Sequence, residues 1–227
     1  MVNILPSPQN LTTDTWVRAT WEEFLAACDR LDLPLDDHPA WEKARCYYDA
    51  GWMRIEAVGI GSAHGQDNSI LAAVVTLYGT LRNIPHIAFT NASFRQAGER
   101  ECQPDLAYYV GSGVRRPPKN NQPVDVNEYG APTLAIEIAS TTLNDDLGQK
   151  RLLYERLGVR EYWVVDVQNA IVIAFAVAAG GSRQIQVSQV LPGLAMKTVE
   201  EALQHSQTTD DTEVNRWLMQ QFQAISE

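Results

Sequence analysis

The chain has 227 residues, 45% of them hydrophobic and 20% charged. That supplies a real core at a length somewhat above the ~150 residues of a common single domain, and it excludes wholesale disorder, collagen-like repeats and a coiled coil. Eighteen Lys and Arg against 28 Asp and Glu give a net charge of −10, which excludes coating of long nucleic-acid stretches by bulk charge, so any such contact must be local.

Residues 1–13, with Pro6, Pro8 and Asn10, predict a flexible N-terminal tail. The tail has no basic region followed by an apolar one, so no signal peptide is expected. The Thr20-Trp21-Glu22-Glu23 capping box opens a helix that buries Phe24, Leu25 and Cys28. Arg45–Tyr48 and Trp52–Glu56 predict a hairpin around Asp49-Ala50-Gly51. His64 to about Arg82 predicts a long helix with Ile70, Val74, Leu77 and Leu81 on its buried stripe, stopped by Asn83 and Pro85. Strands are expected at His86–Thr90 and Asp105–Val110. Gly111–Pro132 reads as one long connection, and structureless connections beyond ~12–15 residues are uncommon unless functional or mobile.

Thr133–Ala139 predicts a strand and Asp145–Leu157 one helix, closed by Gly158. Glu161–Val167 is nearly all apolar, as in a strand covered on both faces. Ala170–Val177 and Gln184–Leu191 predict a hairpin. Ala170–Ala179 is the longest apolar run, too short to span a bilayer. Thr198 and Glu201 form a second capping box, and a last helix from about Thr212 presents Val214, Trp217 and Leu218 on one side. The expected organisation is a domain over 14–204 and a C-terminal linker and amphipathic helix over 205–227. The class is mixed α/β, with helices packed on a central sheet. Cys28, Cys46 and Cys102 have neither disulfide-framework nor zinc spacing and read as buried thiols, which fits a cytoplasmic protein.

The chemistry starts at Leu134-Ala135-Ile136-Glu137-Ile138-Ala139. Side chains alternate along a strand, so Leu134, Ile136 and Ile138 share the core face. Glu137 projects from the other face between two alanines. A carboxylate there is costly to bury unless it is paired, protonated or coordinated. Asp105 opens another strand, with Leu106, Tyr108 and Val110 on the face opposite to it. Lys150 shares a helical face with Leu147, Tyr154 and Leu157 and needs an anion there, and Glu137 immediately precedes this helix in the fold. Two carboxylates and a lysine on adjoining elements suit metal-dependent phosphodiester hydrolysis, with Mg²⁺, or Mn²⁺ in its place, held through hard oxygen donors.

Gln103-Pro104-Asp105, the 134–140 strand with Ser140, and the run from Lys150 through Tyr154, Gly158 and Tyr162-Trp163 to Asp166 together resemble the Uma-type family. That family is restriction-endonuclease-like and lies in the PD-(D/E)XK nuclease superfamily. The resemblance extends from about Thr20 to about Leu203. It implies a restriction-endonuclease-like αβββαβ core, with flanking helices and an added C-terminal hairpin and helix. It also implies that Asp105 and Glu137 are metal ligands, with the Ile138 carbonyl as a further one. The superfamily pattern places lysine two residues after the glutamate, where this chain has Ala139. Other branches carry that lysine on the neighbouring helix, which makes Lys150 its substitute.

Glu56 and His64 are weaker candidates, one as an additional carboxylate and the other as an aid to a phosphate or the attacking water. Asp145 and Asp146 read as first-turn helix acids. Tyr154 reads as core. Arg115, Arg116 and Lys119 form a basic cluster on the long connection. The expected function is a Mg²⁺-dependent endodeoxyribonuclease that binds DNA weakly without metal and does not engage membranes. A homodimer would suit cleavage of both strands. Two rivals stay open: a catalytically silent nuclease fold used for binding or as a scaffold, and a metal-dependent hydrolase of a small phosphorylated substrate.

Overall fold

The computed structural model describes residues 13, 15–31, 44–57, 61–179 and 181–224, so all of the expected tail over 1–13 except Thr13 lies outside it. In chain order the elements are β1 (Val17–Arg18), α1 (Trp21–Leu31), β2 (Ala44–Asp49), β3 (Trp52–Ala57) and α2 (Ser62–Leu81). Next come β4 (His86–Thr90), β5 (Phe94–Gln96), β6 (Arg100–Cys102), β7 (Leu106–Val110), β8 (Val124–Asp125) and α3 (Val126–Tyr129). They are followed by β9 (Leu134–Ala139), α4 (Leu143–Leu147), α5 (Gln149–Leu157), β10 (Glu161–Asp166), β11 (Ile171–Ala178), β12 (Gly181–Ile185), α6 (Met196–Ser206) and α7 (Asp211–Ala224).

The main sheet runs β12-β11-β10-β9-β7-β4. Only β9 and β10 pair parallel, joined across α4 and α5; the other neighbours are antiparallel. The succession α2, β4, β7, β9, α5, β10 is the αβββαβ order expected. Leu134, Ile136 and Ile138 of β9 lie in the core with residues of α2, α6 and α7, while Ala135 and Ala139 pack with Leu153, Tyr154 and Leu157 of α5 on the opposite face. Strand alternation thus divides β9 as its sequence implies, and Glu137 falls on the α5 side.

A second sheet, β1-β3-β2-β6-β5-β8, is built around the β2–β3 hairpin. Ala50 and Gly51 both take positive φ, 45° and 91°, which matches the right-handed twist of the flanking strands. Tyr48, Met53 and Ile55 form a small core with Phe24 of α1. The α1 capping box is present in both directions: the Thr20 amide donates to Glu23 Oε2 at 2.7 Å, and the Glu23 amide donates to Thr20 Oγ1 at 3.2 Å.

Several expectations are corrected. On α2 the buried apolar side chains are Ile70, Leu71, Val74, Val75 and Tyr78, whereas Leu77 is half-buried and Leu81 is exposed, because sheet and C-terminal helices cover a stripe rotated from the expected one. The 145–157 helix is two helices, broken at Gly148 with φ −102° and ψ −107°. The long connection carries β8 and α3, and α3 is capped by Asp125 accepting from the Asn127 amide. Thr198 is not a cap: α6 begins at Met196 after Ala195. The strand expected over 184–191 ends at Ile185. The apolar face of α7, here Val214, Leu218 and Phe222, is buried, with Phe222 edge-on to Tyr78 of α2 at 4.9 Å. That face is therefore covered within the chain and is not offered to a second copy. Among the described residues no helix is long and apolar enough to cross a membrane.

Candidate active site

The β7–β9 register pairs Leu106 with Ile136 and Ala107 with Ala135 antiparallel. One further step along the same register sets Asp105 across from Glu137. Asp105 Oδ2 accepts the Ile138 backbone amide at 2.7 Å, which locks the aspartate onto the neighbouring strand. Both carboxylates are almost fully buried, Asp105 at 1% and Glu137 at 2% exposure.

The β2–β3 hairpin closes over them. Its register pairs Arg45 with Glu56 and Tyr47 with Arg54, so these four side chains share one face while Cys46, Tyr48, Met53 and Ile55 turn to the α1 side. Arg45 forms an ion pair with Asp105 and lies 3.7 Å from Glu137 Oε2. Its Nη2 also donates to Asn91 Oδ1 at 2.6 Å. His64, in the first turn of α2, places Nε2 at 2.9 Å from Asp105 Oδ1.

Helix α5 supplies the rest. Tyr154 donates its hydroxyl to Glu137 Oε1 at 2.6 Å, and the Tyr47 hydroxyl lies 3.4 Å from the same oxygen. Lys150, only 2% exposed, sits 2.8 Å from Glu56 Oε2 and 2.9 Å from Asp146 Oδ1, with its ammonium 4.3 Å from the centre of the Tyr47 ring. Arg54 pairs with Glu56 and with Asp145. A small cavity of about 60 Å³ is lined by Arg45, Glu56, His64, Asp105, Glu137, Ile138, Ser140, Thr141, Thr142 and Lys150.

All six residues singled out in the sequence therefore meet in one cavity. Lys150 does reach it from the helix, across from the position where Ala139 stands, but its ion-pair partners are Glu56 and Asp146, not Glu137. Asp146 is not a mere helix-dipole acid. The break at Gly148 leaves it one turn before Lys150, and it accepts the Thr142 hydroxyl at 2.6 Å. Arg115 is taken up by Glu128, and Arg116 and Lys119 line a separate groove with Phe89 and Pro117, away from the acids.

Arg45, Tyr47, Asp146 and Tyr154 are the site residues that sequence reasoning missed or read only as packing. The Asp146–Lys150 spacing of four was a usable signal. So was the hairpin itself, which sets Arg45 and Glu56 opposite each other on its two strands.

Burial and neighbouring charge split the two carboxylates. Burial pushes Asp105 up, but the His64 hydrogen bond and the Arg45 charge outweigh it and hold the carboxyl down at about 2. Burial pushes Glu137 up to about 8; Lys150 and Arg45 oppose the shift, while the charges of Asp105 and Asp146 reinforce it. Asp146 is likewise raised by burial despite Lys150. Burial would lower Lys150, but the anions around it, Glu137, Asp146 and Glu56, keep it well above its ordinary value.

Among the described residues no three His, Cys, Asp or Glu side chains already converge at metal-binding geometry. The donor set still fits Mg²⁺. That ion commonly uses one or two carboxylates, with water and substrate phosphate completing its shell, rather than a dedicated protein cage.

With this geometry in view, comparisons with known proteins fix the relationship. A crystal structure described as "a putative nuclease belonging to DUF820", from Anabaena variabilis ATCC 29413, superposes with a TM-score of 0.53 at 19% identity, covering 82% of this chain and 99% of that one. At that identity the likeness concerns the fold, which is restriction-endonuclease-like. Among curated proteins nothing matches. The family model Uma2, described as "Putative restriction endonuclease", matches residues 21–213, most of the chain, and the protein belongs to that family.

Proposed function

We propose that the protein is a metal-dependent endonuclease that hydrolyses DNA phosphodiester bonds in the cavity bounded by Asp105, Glu137 and Lys150. One observation carries the reading: two buried carboxylates face each other across β7 and β9, and a buried lysine shares their cavity. Asp105 and Glu137 would hold a Mg²⁺ or Mn²⁺ ion, with the Ile138 carbonyl as a further oxygen donor. When bound, that ion supplies an acidified water and positive charge for the phosphoryl oxygens.

The protein's own residues do the rest. Lys150 keeps its proton and holds an ammonium where charge develops on the phosphate. Glu56 and Asp146 fix the position of that ammonium, since each anchors it with a charge-assisted hydrogen bond. His64 restrains Asp105 through its Nε2 contact. Tyr154 orients Glu137.

The size of the cavity bears on the substrate. Pockets that enclose a small-molecule ligand run to about 300–1,000 Å³. A space of about 60 Å³ suits a single phosphate presented from a polymer. This favours a nucleic-acid backbone over a small phosphorylated substrate. With a net charge of −10, binding without metal should be weak and fall steeply with salt. The catalytically silent reading has its own support, because Arg45 pairs with the very carboxylates that a metal would need.

Single-turnover cleavage of plasmid and oligonucleotide DNA separates the readings. Cleavage should require Mg²⁺ or Mn²⁺ and vanish in Glu137→Gln, while Lys150→Met should slow the chemical step more than it weakens binding. Equal activity in wild type and both variants would identify a contaminant and leave the silent module standing.

A further inference from the structure

The acids of this cavity already have a cation. Arg45 contacts both Asp105 and Glu137, and only 7% of it is exposed. Four buried acids, Glu56, Asp105, Glu137 and Asp146, face three buried cations, Arg45, Arg54 and Lys150. Arg54 and Lys150 are committed to Glu56, Asp145 and Asp146. Arg45 is thus the one of these three cations that contacts both Asp105 and Glu137, and exchanging its single charge for a divalent one would add positive charge where acids are in excess.

The guanidinium also has a second anchor. Asn91 Oδ1 accepts from Nη2 at 2.6 Å, from a turn residue with φ +52° just beyond β4. Asn91 lines a neighbouring groove of about 550 Å³ together with Ser93, Gln103 and Asn121. Arg45 therefore bridges the acid pair and an open, polar groove.

We propose that Arg45 is the resident counter-ion of the Asp105–Glu137 pair, holding the two carboxylates together in the metal-free protein and yielding the position to a divalent cation. Asn91 is the outer anchor that keeps the displaced guanidinium beside the site. The proposal rests on the metal-dependent reading above. Without a cation the ionised Asp105 would stand as an uncompensated buried charge beside Glu137, so Arg45 preserves the site between metal-binding events. It also sets a threshold, because the metal must outcompete a charge already in place.

The test is Mn²⁺ and Mg²⁺ titration by calorimetry on the full chain, wild type against Arg45→Met and Arg45→Lys, with thermal melts in chelator and in Mn²⁺. Methionine keeps the apolar stem and removes the charge. Arg45→Met should bind Mn²⁺ on the order of tenfold more tightly than wild type or better, and Arg45→Lys should fall between the two. Binding by Arg45→Met where wild type binds none would also support the proposal. Should Arg45→Met unfold in chelator, Mn²⁺ should restore its folding, because the ion replaces the missing charge. Wild type that binds Mn²⁺ with Arg45→Met binding equally or more weakly, or an unfolded Arg45→Met that Mn²⁺ does not rescue, would overturn the counter-ion role while sparing the metal reading. No binding by any form would overturn both.

Discussion

Glu137→Gln isolates the charge of one buried carboxyl with little change of shape. The amide keeps an oxygen for the Tyr154 hydroxyl, so packing and the 2.6 Å hydrogen bond are retained. In the folded protein Glu137 is raised from 4.5 to about 8, first by burial and then by Asp105 and Asp146 against Lys150 and Arg45. The folded state therefore holds a proton that the unfolded chain has released between those values. The stability contributed by that proton is fully present below about pH 4.5 and is lost as pH rises through about 8. The slope is about 1.4 kcal/mol per pH unit for one full proton, so wild type should lose on the order of 4 kcal/mol relative to Glu137→Gln from about pH 5 to about pH 8. A buried acid with a raised value but no charge interaction with Glu137, such as Glu101, tilts both proteins alike and cancels in the difference. Guanidinium denaturation in chelator at several pH values gives the two curves. Parallel curves would mean that Glu137 is ionised throughout, and the account of a protonated, cation-seeking carboxyl would be refuted.

Three further outcomes follow from the same network. Lys150→Met strands Asp146 as a buried charge without its ion-pair partner and leaves Glu56 with Arg54 alone, and it should cost about 3–5 kcal/mol by chemical denaturation, so the Lys150→Met cleavage assay must be run where the variant is still folded. Calorimetric Mn²⁺ affinity should rise from about pH 6 to about pH 9, because the ion must displace the Glu137 proton; a flat profile would count against Glu137 as a ligand. Tyr154→Phe removes a donor that favours the ionised carboxylate, so it should cost about 1 kcal/mol and move that Mn²⁺ profile to higher pH, whereas an unshifted profile would make Tyr154 packing alone.

The parts of the fold that were legible in the sequence are those where a local rule and the tertiary context agree. The alternation in β9 assigned Leu134, Ile136 and Ile138 to one core and Glu137 to the opposite face, and both sides of the sheet are indeed filled. Lys150 stood out because a lysine on a helical core stripe must find an anion. Of its actual anions, Glu56 was hidden by distance, 94 residues away along the chain, and Asp146 was hidden by its reading as a first-turn helix acid. Arg45 was missed for a related reason. On β2 it is one charge on a short strand, and only the docking of that hairpin against β7 and β9 gives it two carboxylates. The β5–β6 hairpin has three-residue strands, too short for alternation to register.

The departure at Ala139 takes its meaning from the same cluster. Ala139 is buried beside α5, in register with Asp166 of β10, where a methyl group leaves the helix close to the sheet. That closeness lets Tyr154 reach Glu137 and lets Lys150, from the same helix, reach Glu56. The buried lysine stands on the helix, and its position depends on carboxylates from β3 and α4 rather than on the strand backbone. The site is consequently assembled by the second sheet as well as by the first. With Arg45, Arg54 and Lys150 set against four buried acids, one negative charge is left over. The proton on Glu137 neutralises it in the metal-free protein. A divalent ion in place of Arg45 would neutralise it without that proton, and so both the pH dependence of Glu137 and the charge of Arg45 set how readily the cavity accepts a cation.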